Sequence, residues 1–100
     1  MFIVLLKFAE NKSQAAQFMQ AHKDWIARGF EEGVFLLVGS LRPDDIQPIG
    51  GGGILAHGSS RAELEARVQE DPFVAEKVVR AEITEIAPAK ADDRMAFLLG

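Results

Sequence analysis

The chain has 100 residues, 48% of them hydrophobic and 26% charged, with a formal net charge of −4. That is the make-up of one small domain with a single core, and it excludes wholesale disorder. The acidic balance, with Lys and Arg spread along the chain, argues against a nucleic-acid partner, and the lack of cysteine excludes disulfides and a thiolate zinc site.

Met1 to Leu6 is apolar, but no basic segment precedes it, Lys7 breaks it and no small-residue cleavage site follows promptly. Nothing approaches the ~18 apolar residues of a membrane span. A strand beginning at residue 2 and a cytoplasmic location are expected. The run continues to Phe8, and Glu10-Asn11-Lys12-Ser13 then marks a helix start with Asn11 or Ser13 as N-cap. The spacing predicts a helix from about Gln14 to Phe30, stopped near Gly33. Ala15, Phe18, Met19, Trp25, Ile26, Gly29 and Phe30 recur along it at three- and four-residue steps. His22 falls on that apolar stripe.

Val34 to Val38 reads as the second strand, closed by Gly39-Ser40-Leu41, and Arg42 to Pro48 as a polar surface loop. Gly50 to Gly53 leads into a third strand, Ile54 to His57. Ser60 lies three residues before Glu63, the form of a capping box, and opens a second helix whose buried edge is Leu64 and Val68. Arg61–Glu65 and Glu63–Arg67 are expected as exposed pairs worth about 0.2–0.5 kcal/mol each. Asp71-Pro72-Phe73 ends this helix, because proline disfavours helix at the residue before it. Val78 to Ile86 is the fourth strand.

The order β-α-β-β-α-β defines an α+β, ferredoxin-like fold, an antiparallel four-stranded sheet with both helices on one face. The domain is expected over residues 1–88, with 89–100 a C-terminal extension packing on the domain or on a partner. Val79, Ala81 and Ile83 form an apolar face of the last strand, but the first two strands are apolar on both faces. A monomer would leave a large apolar patch, so a homodimer covering it is expected.

An imidazole on an apolar stripe is either a packing residue with a satisfied hydrogen bond or part of a site. A carboxylate in reach would favour the second, by fixing the tautomer and raising basicity. Asp71 is the candidate, since both helices share a face of the sheet. Its alternative is an Asx-type turn before proline. Ser40 could bind a polar substrate atom, and Arg42 could pair an anionic one or be a plain loop arginine. The glycine run, Gly52 included, is either a flexible entry to the strand or a place where a ligand or another backbone approaches closely. His57 is expected at the surface. His22 and His57 lack the spacing of metal ligands, and no metal is expected.

The opening strand, the His22 helix, Gly39-Ser40-Leu41, the glycine-rich third strand and Asp71-Pro72-Phe73 together resemble the YciI-like (YCII-related) family over roughly residues 2 to 88. The resemblance implies a dimeric α/β-barrel assembly of ferredoxin-like domains. It also implies a His–Asp site in which the family's histidine falls on His22 and its aspartate on Asp71. One branch is associated with dehydrochlorination of a chlorinated hydroxylated aromatic, and a related barrel fold hosts muconolactone isomerases. Family members commonly carry Gly-Pro after the second strand, where this chain has Gly39-Ser40. The expected function is a small cofactor-independent lyase or isomerase in which His22 moves a proton and Asp71 orients it. Ser40, Arg42 and Gly52 would bind a small polar or aromatic substrate. The alternative is a non-catalytic dimeric small-molecule-binding or interaction module.

Overall fold

The computed structural model describes residues 1–100. Strands β1 (Phe2–Phe8), β2 (Phe35–Leu41), β3 (Gly51–Ala56) and β4 (Val79–Glu85) form one sheet in the order β2-β3-β1-β4, with every neighbouring pair antiparallel. Helix α1 (Ala15–Glu31) joins β1 to β2, and α2 (Arg61–Gln69) with the short α3 (Pro72–Ala75) joins β3 to β4. This is the ferredoxin-like α+β fold, helices on one face.

Alternation along β1 sets the layers. Phe2, Val4 and Leu6 are buried and lie opposite Ala56, Ile54 and Gly52 of β3. On the other side the same three residues meet Glu85, Ile83 and Ala81 of β4. Trp25, Leu64, Val68 and Phe73 complete the core from the helices. Full burial of side chains such as Val4 and Leu64, both at 0% exposure, is worth about 1.5–3 kcal/mol each. The opposite face, with Ile3, Leu5, Leu37, Leu41 and Leu55, carries no helix, and Leu37 is 54% exposed.

Several expectations at the ends of elements are corrected. Neither Asn11 nor Ser13 caps α1. Lys12–Gln14 form a 3-10 turn, Gln14 takes the N-cap position, and Asn11 Nδ2 donates to the Glu76 carbonyl at 2.9 Å. The second and third strands are longer than predicted, because Gly39, Ser40 and Leu41 pair with Gly53, Gly52 and Gly51. The glycine run is therefore ladder rather than loop. Between Phe35 and Leu37 the register of β2 shifts at a bulge. The extra residue inverts the alternation, so Val38 and Ser40, not Leu37 and Gly39, share the helix-facing side with Phe35.

The capping box of α2 forms: Glu63 N–H donates to Ser60 Oγ at 3.1 Å and Ser60 N–H to Glu63 Oε1 at 2.9 Å. The Ser60 N–H foremost, and the Ser60 hydroxyl after it, hold the Glu63 carboxyl below its ordinary value. With Glu63 so engaged, the Glu63–Arg67 pair is replaced by Arg67–Glu32 at 3.2 Å, while Arg61–Glu65 forms at 3.1 Å. Gly29 is buried where α1 crosses β2, and a Cβ there would stand 2.1 Å from the Phe35 ring. Residues Asp93–Leu99 form a 3-10 segment whose Phe97 ring meets His57 at 5.3 Å, leaving His57 half-buried rather than at the surface. No helix is long and apolar enough to cross a membrane.

Candidate functional site

Asp71 follows α2 and stands at the N-cap of α3, with Pro72 as the first helical residue. Proline is pre-shaped for that position and lacks the N–H that would go unpaired there. Asp71 Oδ1 accepts from the Phe73 N–H at 3.0 Å. The sequence shows a helix end at this point; the structure adds a second helix start, too short to register as a periodicity. The carboxylate is thereby fixed beneath α1, wholly buried at 0% exposure.

The third helical turn of α1 brings His22 onto it. His22 Nδ1 lies 2.8 Å from Asp71 Oδ1. Below the ring is Phe73, at 4.0 Å between centroids and 5° from parallel, and Trp25 lies 6.1 Å away. Trp25 Nε1 donates to the Arg67 carbonyl at 3.0 Å, a second polar tie between the helical layers. A carboxylate only accepts, so Nδ1 carries the hydrogen, and in the neutral ring Nε2 holds the lone pair. The second carboxylate oxygen, Oδ2, is buried without a partner.

His22 forms part of the wall of a cavity of about 310 Å³ between α1 and the β2–β3–β1 side of the sheet. Apolar walls come from Leu6, Phe8, Met19, Ile26, Val38 and Phe73. Ser40 and Gly52, a cross-strand pair, line it together. A Cβ on Gly52 would touch only the Gly39 carbonyl oxygen, at 3.5 Å, so the space above this glycine is cavity. The β2 bulge is what turns Ser40 to this side.

Arg42 is not brought in; it lies exposed in the loop after β2 and does not line the cavity. Lys23 does line it and is absent from the candidates read from sequence. The available signal was its spacing: four residues after Met19 and three before Ile26, on the edge of the same stripe. No group of three or more His, Cys, Asp or Glu side chains is placed to hold a metal ion. The arrangement can abstract or return a proton at Nε2, with the buried carboxylate holding the ring and stabilising its charged form.

Fold and site together define a ferredoxin-like domain with a histidine–aspartate pair at an open cavity. A family model for the YCII-related domain matches residues 1–88. The chain belongs to that family. No curated protein matches it. Among solved structures it is similar to 5-chloro-2-hydroxyhydroquinone dehydrochlorinase from Burkholderia phenoliruptrix, determined in complex with 2,5-dihydroxybenzoquinone. That likeness has a TM-score of 0.63 at 14% identity, covering 86% of this chain and 93% of that one. It is also similar to a de novo designed protein, Ferredog-Diesel, with a TM-score of 0.55 at 9% identity and coverage of 84% and 83%. At such identities the likeness is one of fold.

Proposed function

We propose that the protein is a small acid–base enzyme of the lyase or isomerase type, acting on a small polar or aromatic ring. The observation that carries this reading is the 2.8 Å bond from His22 Nδ1 to a fully buried carboxylate, with the ring at a cavity wall. His22 Nε2 takes a proton from an enolisable or hydroxylated carbon framework and returns it elsewhere. Asp71 keeps the tautomer and offsets the imidazolium charge. The apolar walls and the Gly52 opening accept a flat ring, and Ser40 offers a hydroxyl to a polar substituent. The dehydrochlorinase with the same fold, bound to a dihydroxybenzoquinone, supports this choice of substrate.

Acid–base help of this kind contributes about 10²–10⁴-fold, so positioning supplies the remainder. The test is solvent-deuterium exchange into a panel of hydroxylated aromatics and enol lactones, followed by NMR. Wild-type protein is expected to catalyse exchange into at least one compound, and His22→Gln to slow it by about 10²–10⁴-fold. Equal rates in the two proteins would falsify the assignment.

A second reading has its own observation. Asp71 is buried and caps α3 as well as binding His22, which suits a structural bond in a non-catalytic, ligand-binding module. On that reading the variant binds ring compounds as well as wild type and neither protein exchanges protons.

The bare sheet face supports a homodimer in either case. Ile3, Leu5, Leu37, Leu41 and Leu55 form a contiguous apolar surface that a second sheet would cover. Sedimentation at micromolar concentration is expected to give the dimer mass, and Leu37→Lys to give monomer. A wild-type monomer sinks this part of the proposal.

A further inference from the structure

We propose that Lys23 is the specificity-determining residue of the cavity and that it selects ligands bearing an anionic oxygen, a carboxylate or phenolate, on the ring. The inference rests on reading this cavity as the site and adds the charge of what enters it. Among the residues lining the cavity, Lys23 is the only permanent cation and there is no Asp or Glu. The Asp71 carboxylate is buried beneath His22 and already accepts from the imidazole and the Phe73 N–H. A proton taken up by His22 is offset by the Asp71 carboxylate beneath the ring.

Nothing on the protein neutralises Lys23. On its own helix the positions three and four residues away are Met19, Gln20, Ile26 and Ala27, none of them acidic. The adjacent Asp24 accepts from Gln20 Nε2 at 3.0 Å. Elsewhere Lys7, Arg61, Arg67 and Arg94 hold carboxylates within 3.2 Å, and Lys12 sits over the Phe8 ring. Other cations are unpaired too, Arg42 among them. Lys23 differs in its place, at the edge of an apolar recess beside the proposed base. Lys23 is itself exposed, so its ammonium keeps its hydration and reaches over the recess as a screened charge, strong enough to bias which ligands enter. The chain as a whole is acidic, at −4, so a preference for an anion has to come from a cation close to the site.

The probes are 2-hydroxybenzoate and its neutral counterpart 2-hydroxybenzamide, titrated by NMR into the full-length protein while the His22 ring signals are followed. Wild type is expected to bind the benzoate more tightly than the amide, with the preference shrinking as salt is raised. Lys23→Met is expected to weaken benzoate binding about two- to fivefold, the size of an exposed ion pair, and to leave the amide unchanged. Lys23→Arg restores the preference. Equal binding of the two probes to wild type, or a preference untouched by Lys23→Met, overturns the inference while leaving the acid–base reading in place. Failure of both probes to move the His22 signals overturns it together with the assignment of the cavity as the site. A charge preference alongside unchanged exchange in His22→Gln removes the acid–base reading and keeps the role of Lys23.

Discussion

Asp71→Asn is expected to cost about 1–3 kcal/mol of stability and at least about a hundredfold in proton exchange, although the two side chains have nearly the same shape. The wild-type Oδ1 accepts from His22 and from the Phe73 N–H, and Oδ2 is buried with no donor. An asparagine that keeps both Oδ1 bonds must bury its amide N–H groups where Oδ2 now lies unpartnered. Flipped, it offers N–H to His22 Nδ1, which then accepts and puts the hydrogen on Nε2. That tautomer cannot act as the base. Either arrangement also removes the charge that stabilises the imidazolium. Urea denaturation reads the first effect and deuterium exchange the second. Loss of stability with exchange intact would return Asp71 to a purely structural role.

The same burial makes stability alone a poor judge of function here. Removing His22 from a carboxylate at 0% exposure deprives a buried charge of its imidazole N–H donor, a loss of about 1–3 kcal/mol. That follows whether or not the pair does chemistry. A double-mutant cycle with His22→Phe and Asp71→Leu separates the terms, since an apolar pair leaves no orphaned charge. Phenylalanine can keep the stack on Phe73; leucine still forfeits the α3 cap. The cycle gives the coupling, and exchange in the Asn and Gln variants gives the chemistry.

The fold was legible because its longer elements announced themselves by a period. The alternation of β4, the stripe on α1 and the Ser60–Glu63 box all stand where the sequence placed them. His22 was visible as a polar residue on an apolar stripe, and Asp71 through the Pro72 that follows it. What escaped depended on pairing between segments distant in sequence. Gly39 to Leu41 and Gly51 to Gly53 look like turns alone and become strand only by pairing with each other. The bulge that turns Ser40 inward leaves no local mark. Arg42 follows Ser40 closely in sequence, but the chain carries it into the exposed loop. A lysine on a helix is ordinarily solvated, and Lys23 is exposed; only the position of β2 and β3 opposite it makes the recess it edges.

The glycine run gives the second large effect, because adjacent residues of one type meet different surroundings. Gly51 has φ of +148°, in a region that L side chains rarely adopt, and a Cβ would lie 1.9 Å from the Leu6 carbonyl oxygen. That oxygen belongs to β1, at the centre of the sheet, and cannot yield without parting β3 from its neighbour. Gly51→Ala is therefore expected to cost at least about 3 kcal/mol, a large share of a small domain's total stability. Gly52→Ala meets only an ordinary contact at 3.5 Å and is expected to change stability by less than about 1 kcal/mol. Its effect is on the cavity: a larger side chain there, as in Gly52→Val, occupies the space a ring would use and is expected to abolish binding in a folded protein. Thermal denaturation and a ring-probe titration of the three variants check the contrast. If Gly51→Ala were as stable as Gly52→Ala, the close passage of β3 against β1 would be wrong, and with it the register that sets Gly52 opposite Leu6 in the cavity.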